Sequence, residues 1–109
     1  MTVFVGNSNL LELIGLKDVT DDSYINDAAI AATVKDEAGV EVAGQTWPVT
    51  MAFVAASNGN YRGVLSEDVA FVAKTNYIAH IEANAGTNRI GHWEFKFKPL
   101  TRTGVTVDS

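Results

Sequence analysis

The fold is decided by Arg89-Ile90-Gly91-His92-Trp93-Glu94-Phe95-Lys96-Phe97-Lys98, a stretch in which apolar and polar side chains alternate. Successive side chains of a β-strand point to opposite faces of the sheet. Trp93, Phe95 and Phe97 therefore share one face, and the polar residues between them share the other. This period of two predicts an antiparallel strand with one buried face and one solvated face.

Further short segments along the chain have the same β-prone character. They are Asn9–Asp18, Ala28–Lys35, Thr46–Ala55, Gly59–Leu65 and Asn76–Ala83. Asn9–Asp18 also fits a short helix, but Gly15 interrupts it and no helix cap precedes it, which favours a strand. Asx-rich and Gly-containing turns separate the segments. Six or seven short strands at this spacing predict an all-β fold and favour a sandwich over a barrel.

Length and composition exclude several classes of protein. The chain has 109 residues, 47% of them hydrophobic, no cysteine and a net charge of -5. This length fits one domain with one core, and the missing cysteines exclude a disulfide scaffold, a thiolate zinc site and a cysteine nucleophile. The acidic balance argues against nucleic-acid binding. We find neither a secretory signal nor an apolar run long enough for a membrane helix, so we expect no membrane partner.

Residues that carry chemistry are sparse. His80 and His92 are the only histidines, and both fall on the solvent side of predicted strands. A metal or acid–base role needs a carboxylate beside them, which Glu82 or Glu94 could provide, but a third histidine is absent. We interpret the pair as ordinary surface histidines. The chain also lacks a nucleophile elbow and a glycine-rich nucleotide loop, so we expect no catalytic residue, no cofactor, no metal and no enzyme activity.

One acidic loop, residues 18–27, permits a sharper hypothesis. Its carboxylates include Asp21, Asp22 and Asp27, and calcium prefers such hard oxygen ligands. The spacing does not match a known calcium loop, however. The alternative is a solvated turn in which Asp and Asn side chains cap the backbone.

Charge is distributed unevenly along the chain. Residues 1–41 carry two basic and eight acidic side chains, net -6, whereas residues 87–109 carry four basic and two acidic ones, net +2. If the two ends of the domain differ in charge, identical copies can pack head to tail or in rings, because complementary fields orient association. Scattered surface charge is the alternative.

Two phrases of the sequence resemble immunoglobulin-like modules. Asn58-Gly59-Asn60-Tyr61-Arg62-Gly63-Val64-Leu65 resembles one strand of such modules, and Lys74-Thr75-Asn76-Tyr77-Ile78-Ala79-His80-Ile81-Glu82-Ala83 resembles the next. In those folds, a tyrosine at the place of Tyr77 often bonds the preceding loop. The resemblance covers residues 9–98 and implies an antiparallel β-sandwich of about seven strands. Residues 1–8 then form an N-terminal arm, and residues 99–109 form a C-terminal tail.

The order of these phrases also resembles small virion proteins of tailed bacteriophages. That resemblance implies a non-enzymatic structural role in capsid decoration, a neck or collar, or a tail accessory. The protein would be made in the host cytoplasm and located in the virion, with other virion proteins and copies of itself as partners. The candidate contact residues are Trp47, Asp21, Asp22, Asp27, Lys96, Lys98 and Arg102, and the candidate core markers are Tyr61, Tyr77, Trp93, Phe95 and Phe97.

The alternative function is a carbohydrate-binding or adhesive β-sandwich, which calcium could stabilise. Trp47, Tyr61 and Trp93 could form an exposed aromatic platform for a sugar. Alternation with polar residues places Tyr61 and Trp93 in the core instead. The pattern does not decide whether Trp47 is buried or exposed, because Pro48 distorts the strand that contains it.

Overall fold

The described part of the chain forms six β-strands, which confirms the prediction of an all-β fold. A computed structural model describes residues 3–86 and 90–101, and no helix occurs within them. The strands are β1 (Asn9–Leu13), β2 (Ala29–Asp36), β3 (Val49–Phe53), β4 (Tyr61–Leu65), β5 (Tyr77–Asn84) and β6 (Ile90–Phe97).

The strands form a single antiparallel sheet in the order β1-β4-β3-β2-β5-β6, curled into a half-barrel. The described residues thus form six strands in one sheet, whereas we expected about seven strands in two. The two expected sheets are continuous through β3, which pairs with a different neighbour along each half of its length. Val49–Met51 pair with β2, and Ala52–Phe53 pair with β4. Strands that change partners in this way join two differently oriented halves of a sheet.

The core lies on the concave face of the curled sheet. Alternate residues of every strand point into it, as in the buried–exposed alternation of β1, β4 and β5. Two loops close its open side by adding Leu16 and Ile25 from one segment and Val69 and Phe71 from another. Full burial of such a side chain stabilises the fold by about 1.5–3 kcal/mol. These loops are therefore part of the core.

Two tyrosines attach loops to strands through their hydroxyl groups. Tyr61 is buried on β4; its hydroxyl donates to the carbonyl of Ile25 at 2.8 Å and accepts the N–H of Ala28 at 3.1 Å. Tyr77 begins β5, and its hydroxyl accepts the N–H of Val72 at 2.9 Å, five residues upstream. The second contact is the one that the resemblance predicts for Tyr77. Both tyrosines are core residues, as expected.

The edge strand β6 has a less buried concave face than its sequence predicts. Phe97 is buried against Phe71 and Tyr77, and Trp93 is half-buried against the core. Phe95, an expected core residue, is 40% exposed. The reason is its position: β6 has a described neighbour on one side only, so no strand covers the outer flank of Phe95.

Both chain ends contribute to the folded body where they are described. Val3 is buried, and Phe4 forms a parallel bridge with Leu100. Pro99 is also fully buried. Residues 3–5 and 99–101 thus pack together. Thr2–Val5 and Gly104–Val107 are short β-prone segments, so the sequence predicts that either could add as a strand to a neighbouring copy. The described part of the first segment instead pairs within its own chain, and residues 104–107 lie outside the described residues.

Gly59 provides a test of how closely the loops approach the sheet. Its φ is +69°, and a Cβ there would lie 2.5 Å from the carbonyl oxygen of Leu16. We expect Gly59→Ala to lower the free energy of unfolding by about 3 kcal/mol or more, from backbone strain plus overlap with main-chain atoms. Urea denaturation measures this. Gly39→Ala is the matched control, because Gly39 has a φ of +82° but nothing within 4 Å of a Cβ, so it should cost about 1 kcal/mol. Equal losses in the two variants would contradict the close approach.

Candidate functional site: a histidine–glutamate cluster

Two histidines and two glutamates meet on the convex face of the sheet. β5 supplies His80 and Glu82, and β6 supplies His92 and Glu94. The antiparallel register places His80 opposite Glu94 and Glu82 opposite His92. Residues two apart on a strand share a face, so all four side chains project from the same side. We call these four residues the His–Glu cluster.

The distances within the His–Glu cluster are short. His80 Nδ1 lies 3.2 Å from Glu94 Oε1, and His92 Nε2 lies 3.8 Å from the same oxygen. His92 Nδ1 lies 3.6 Å from Glu82 Oε1. The two imidazole rings are 5.8 Å apart between centroids. Each histidine therefore faces a carboxylate of the neighbouring strand, and Glu94 lies between both rings.

A depression of about 240 Å³ adjoins the cluster. Its floor includes Ala31 and Thr33 of β2, whose small side chains leave room beside His80, and Pro48 and Lys35 form other parts of its wall. The side chain of His80 is 22% exposed, so it is the most enclosed member of the cluster. The cluster is thus accessible to a small ion or molecule. His80, the less exposed histidine, is packed against its neighbours.

Alternation predicts that both histidines lie on the solvent side with Glu82 and Glu94 as possible partners, and the structure places them so. The convergence of all four residues goes beyond that prediction. The available signal was the repeat of His-x-Glu in His80-Ile81-Glu82 and His92-Trp93-Glu94. When two such triplets lie on neighbouring antiparallel strands and each His is paired with the Glu of the other, all four side chains are adjacent. Neither triplet alone reveals this pairing.

The acidic loop is organised by its own side chains. Asp18 accepts the N–H of Thr20 at 2.8 Å, and Asp21 accepts both the N–H and the hydroxyl of Ser23. Asp22 lies 3.7 Å from Lys17 Nζ. These contacts are the side-chain caps of a solvated turn, which was one of the two interpretations of this loop. Asp27 is exposed.

The other expected contact residues lie apart from one another. Trp47 is half-buried against the core and donates its indole N–H to the carbonyl of Val42 at 2.7 Å, so it does not form an exposed platform. Lys96 and Lys98 are exposed at the Phe97 end of β6. Arg102 lies outside the described residues. The structure thus does not bring these residues into one site.

An apolar groove lies at the opposite end of β6. Its volume is about 120 Å³, and its lining includes Leu16, Ile25, Ala83, Ile90 and Trp93. Asp18 and Val19 of the acidic loop also line it, so this loop abuts the Ile90 end of the edge strand. Ile90 itself is 72% exposed.

Comparisons with known proteins add no assignment. No family model, no curated protein and no solved structure matches the chain. Across residues 3–86 and 90–101, no helix has the length and apolar character needed to span a bilayer.

The capped turn at residues 18–27 leads to a prediction about calcium. Asp18 and Asp21 already use Oδ1 to accept main-chain N–H groups, which fixes their carboxylates in a turn whose spacing matches no known calcium loop. We expect the melting temperature to be the same with added calcium and with a calcium-selective chelator. Differential scanning calorimetry measures both. A rise in the midpoint with calcium that Asp21→Asn abolishes would establish the calcium site instead.

Proposed function

We propose that this protein is a non-enzymatic structural protein of a tailed-bacteriophage virion and acts through protein–protein contacts. In this proposal it is made in the host cytoplasm and assembles with copies of itself and with other virion proteins. The observation that carries the proposal is the position of β6 at one edge of the sheet that the described residues form. The contact between Tyr77 and Val72 supports the finer resemblance to immunoglobulin-like modules.

An open edge strand is a template for pairing with another chain. β6 is eight residues long and forms one end of the sheet among the described residues. The outer backbone groups of an edge strand can hydrogen-bond a further strand. Phe95 and Ile90 add exposed apolar surface along the same strand. This edge therefore supplies both hydrogen-bonding groups and apolar contact area.

Charge favours a second copy of the chain as the occupant of this edge. The acidic loop abuts the Ile90 end of β6, whereas Lys96 and Lys98 lie at the other end, a separation of about 24 Å along an eight-residue strand. Two β6 strands paired antiparallel across a two-fold axis would bring the lysines of each copy to the acidic loop of the other. Such pairing is self-complementary, as a two-fold interface requires.

Self-association is tested by sedimentation of the full chain over a range of protein and salt concentrations. We expect a dimer that dissociates as salt is added, because salt screens the lysine–carboxylate attraction. Lys96→Glu should raise the dissociation constant about tenfold or more. Arg62→Glu is the matched control, since it reverses one charge on the same face but on β4. A monomer at all concentrations, or equal effects of the two substitutions, would contradict pairing through β6.

The virion assignment is tested separately, by mass spectrometry of purified phage particles from the source of this chain. We expect the chain in the particles at a copy number consistent with a symmetric assembly. Its absence from intact particles while it is abundant in the infected cell would contradict the assignment.

A further inference from the structure

We propose that the His–Glu cluster binds one divalent transition-metal ion of the Zn²⁺ type. The ligands are His80 Nδ1, His92 Nε2 and a carboxylate oxygen of Glu94, and Glu82 orients His92. The corresponding ligand atoms lie within 4.8 Å of one another. This site goes beyond the proposed function, since neither self-association nor a virion role requires it.

The spacing of the ligand atoms suits a tetrahedral ion. Zinc binds histidine nitrogen and carboxylate oxygen at about 2.0–2.2 Å, so two ligand atoms of one ion lie about 3.3 Å apart. The separation between His80 Nδ1 and Glu94 Oε1 is 3.2 Å, and that between His92 Nε2 and Glu94 Oε1 is 3.8 Å. The side chains of His92 and Glu94 are 48% and 56% exposed, so small rotations can close the remaining distance.

Glu82 provides the outer support that metal-binding histidines usually have. Its Oε1 lies 3.6 Å from Nδ1 of His92, whereas Nε2 of the same ring lies 3.8 Å from Glu94. A small rotation of this exposed ring would bring Nδ1 within hydrogen-bonding distance of Glu82, and the lone pair of Nε2 would then point to the ion. The four residues thus form three ligands and one orienting group.

The sheet holds the ligands in place before the ion arrives. Ile81 and Trp93 lie between the paired residues in sequence and point to the concave side, where Ile81 is buried and Trp93 packs against the core. The cross-strand register fixes the spacing of the two His-x-Glu triplets. An ion would also reduce the repulsion between the carboxylates of Glu82 and Glu94, both of which lie beside His92.

Donor chemistry determines which ions the site prefers. Two imidazole nitrogens with one carboxylate favour zinc, cobalt, nickel or copper, whereas calcium and magnesium prefer oxygen ligands. Three protein ligands leave a fourth tetrahedral position open to solvent or to a side chain of another molecule.

The test is calorimetric titration of the full chain, without a histidine tag, with zinc chloride and with cobalt chloride. We expect one ion per chain and, for cobalt, the intense visible absorption of tetrahedral coordination. His92→Ala and Glu94→Gln should each abolish saturable binding. Glu82→Gln should weaken it about 10–100-fold, as loss of an orienting partner does. Glu12→Gln is the matched control, because it makes the same change on the same face at β1 and should leave binding unchanged.

Three outcomes would overturn the site: no saturable zinc binding, zinc binding that His92→Ala and Glu94→Gln leave intact, or calcium competing equally with zinc. Circular dichroism of each variant verifies that the sheet is retained. His92→Ala and Glu94→Gln remove different ligands, so if one variant fails to fold, the other still tests the site. Sedimentation of the same samples with and without zinc separates this result from self-association, because the ligands all belong to one chain and binding should not require a dimer.

Discussion

The register between β5 and β6 is the constraint on which the other features depend. It runs without interruption from the Tyr77–Phe97 pair to the Asn84–Ile90 pair. A slip of one residue would turn every side chain of β6 to the other face. Trp93 and Phe97 would then lose the core, and His92 and Glu94 would be forced into it. Burial of the aromatic residues thus fixes the register, and the register in turn assembles the His–Glu cluster.

Much of the local structure could be predicted from the sequence. Alternation is a property of neighbouring residues, so the strands, the inward direction of Tyr61 and Tyr77 and the turn at the acidic loop were all accessible. The ends of the strands were harder to predict. For example, β1 ends at Leu13, ahead of Gly15, whose φ is +70°. The backbone there leaves the extended region, and the segment beyond it serves as a core loop.

What the sequence could not provide was the arrangement of distant segments. β3 divides its pairing between β2 and β4, and no single-strand pattern encodes that choice. The exposure of Phe95 depends on whether another strand covers β6, which alternation cannot reveal. The His–Glu cluster depends on the pairing of two strands. The sequence does not decide whether the indole of Trp47 is exposed, because the acceptor of its N–H is a carbonyl of a loop.

The divided pairing of β3 also has a mechanical consequence. Within the ladder of the sheet, the half formed by β1 and β4 is connected to the half formed by β2, β5 and β6 by three residue pairs on one side of β3 and two on the other. By contrast, β2 and β5 share a ladder of eight pairs. We therefore expect the half-barrel to open first at β3 under force, and the two hydrogen bonds of the Tyr61 hydroxyl, which connect β4 to the segment before β2, to resist this opening.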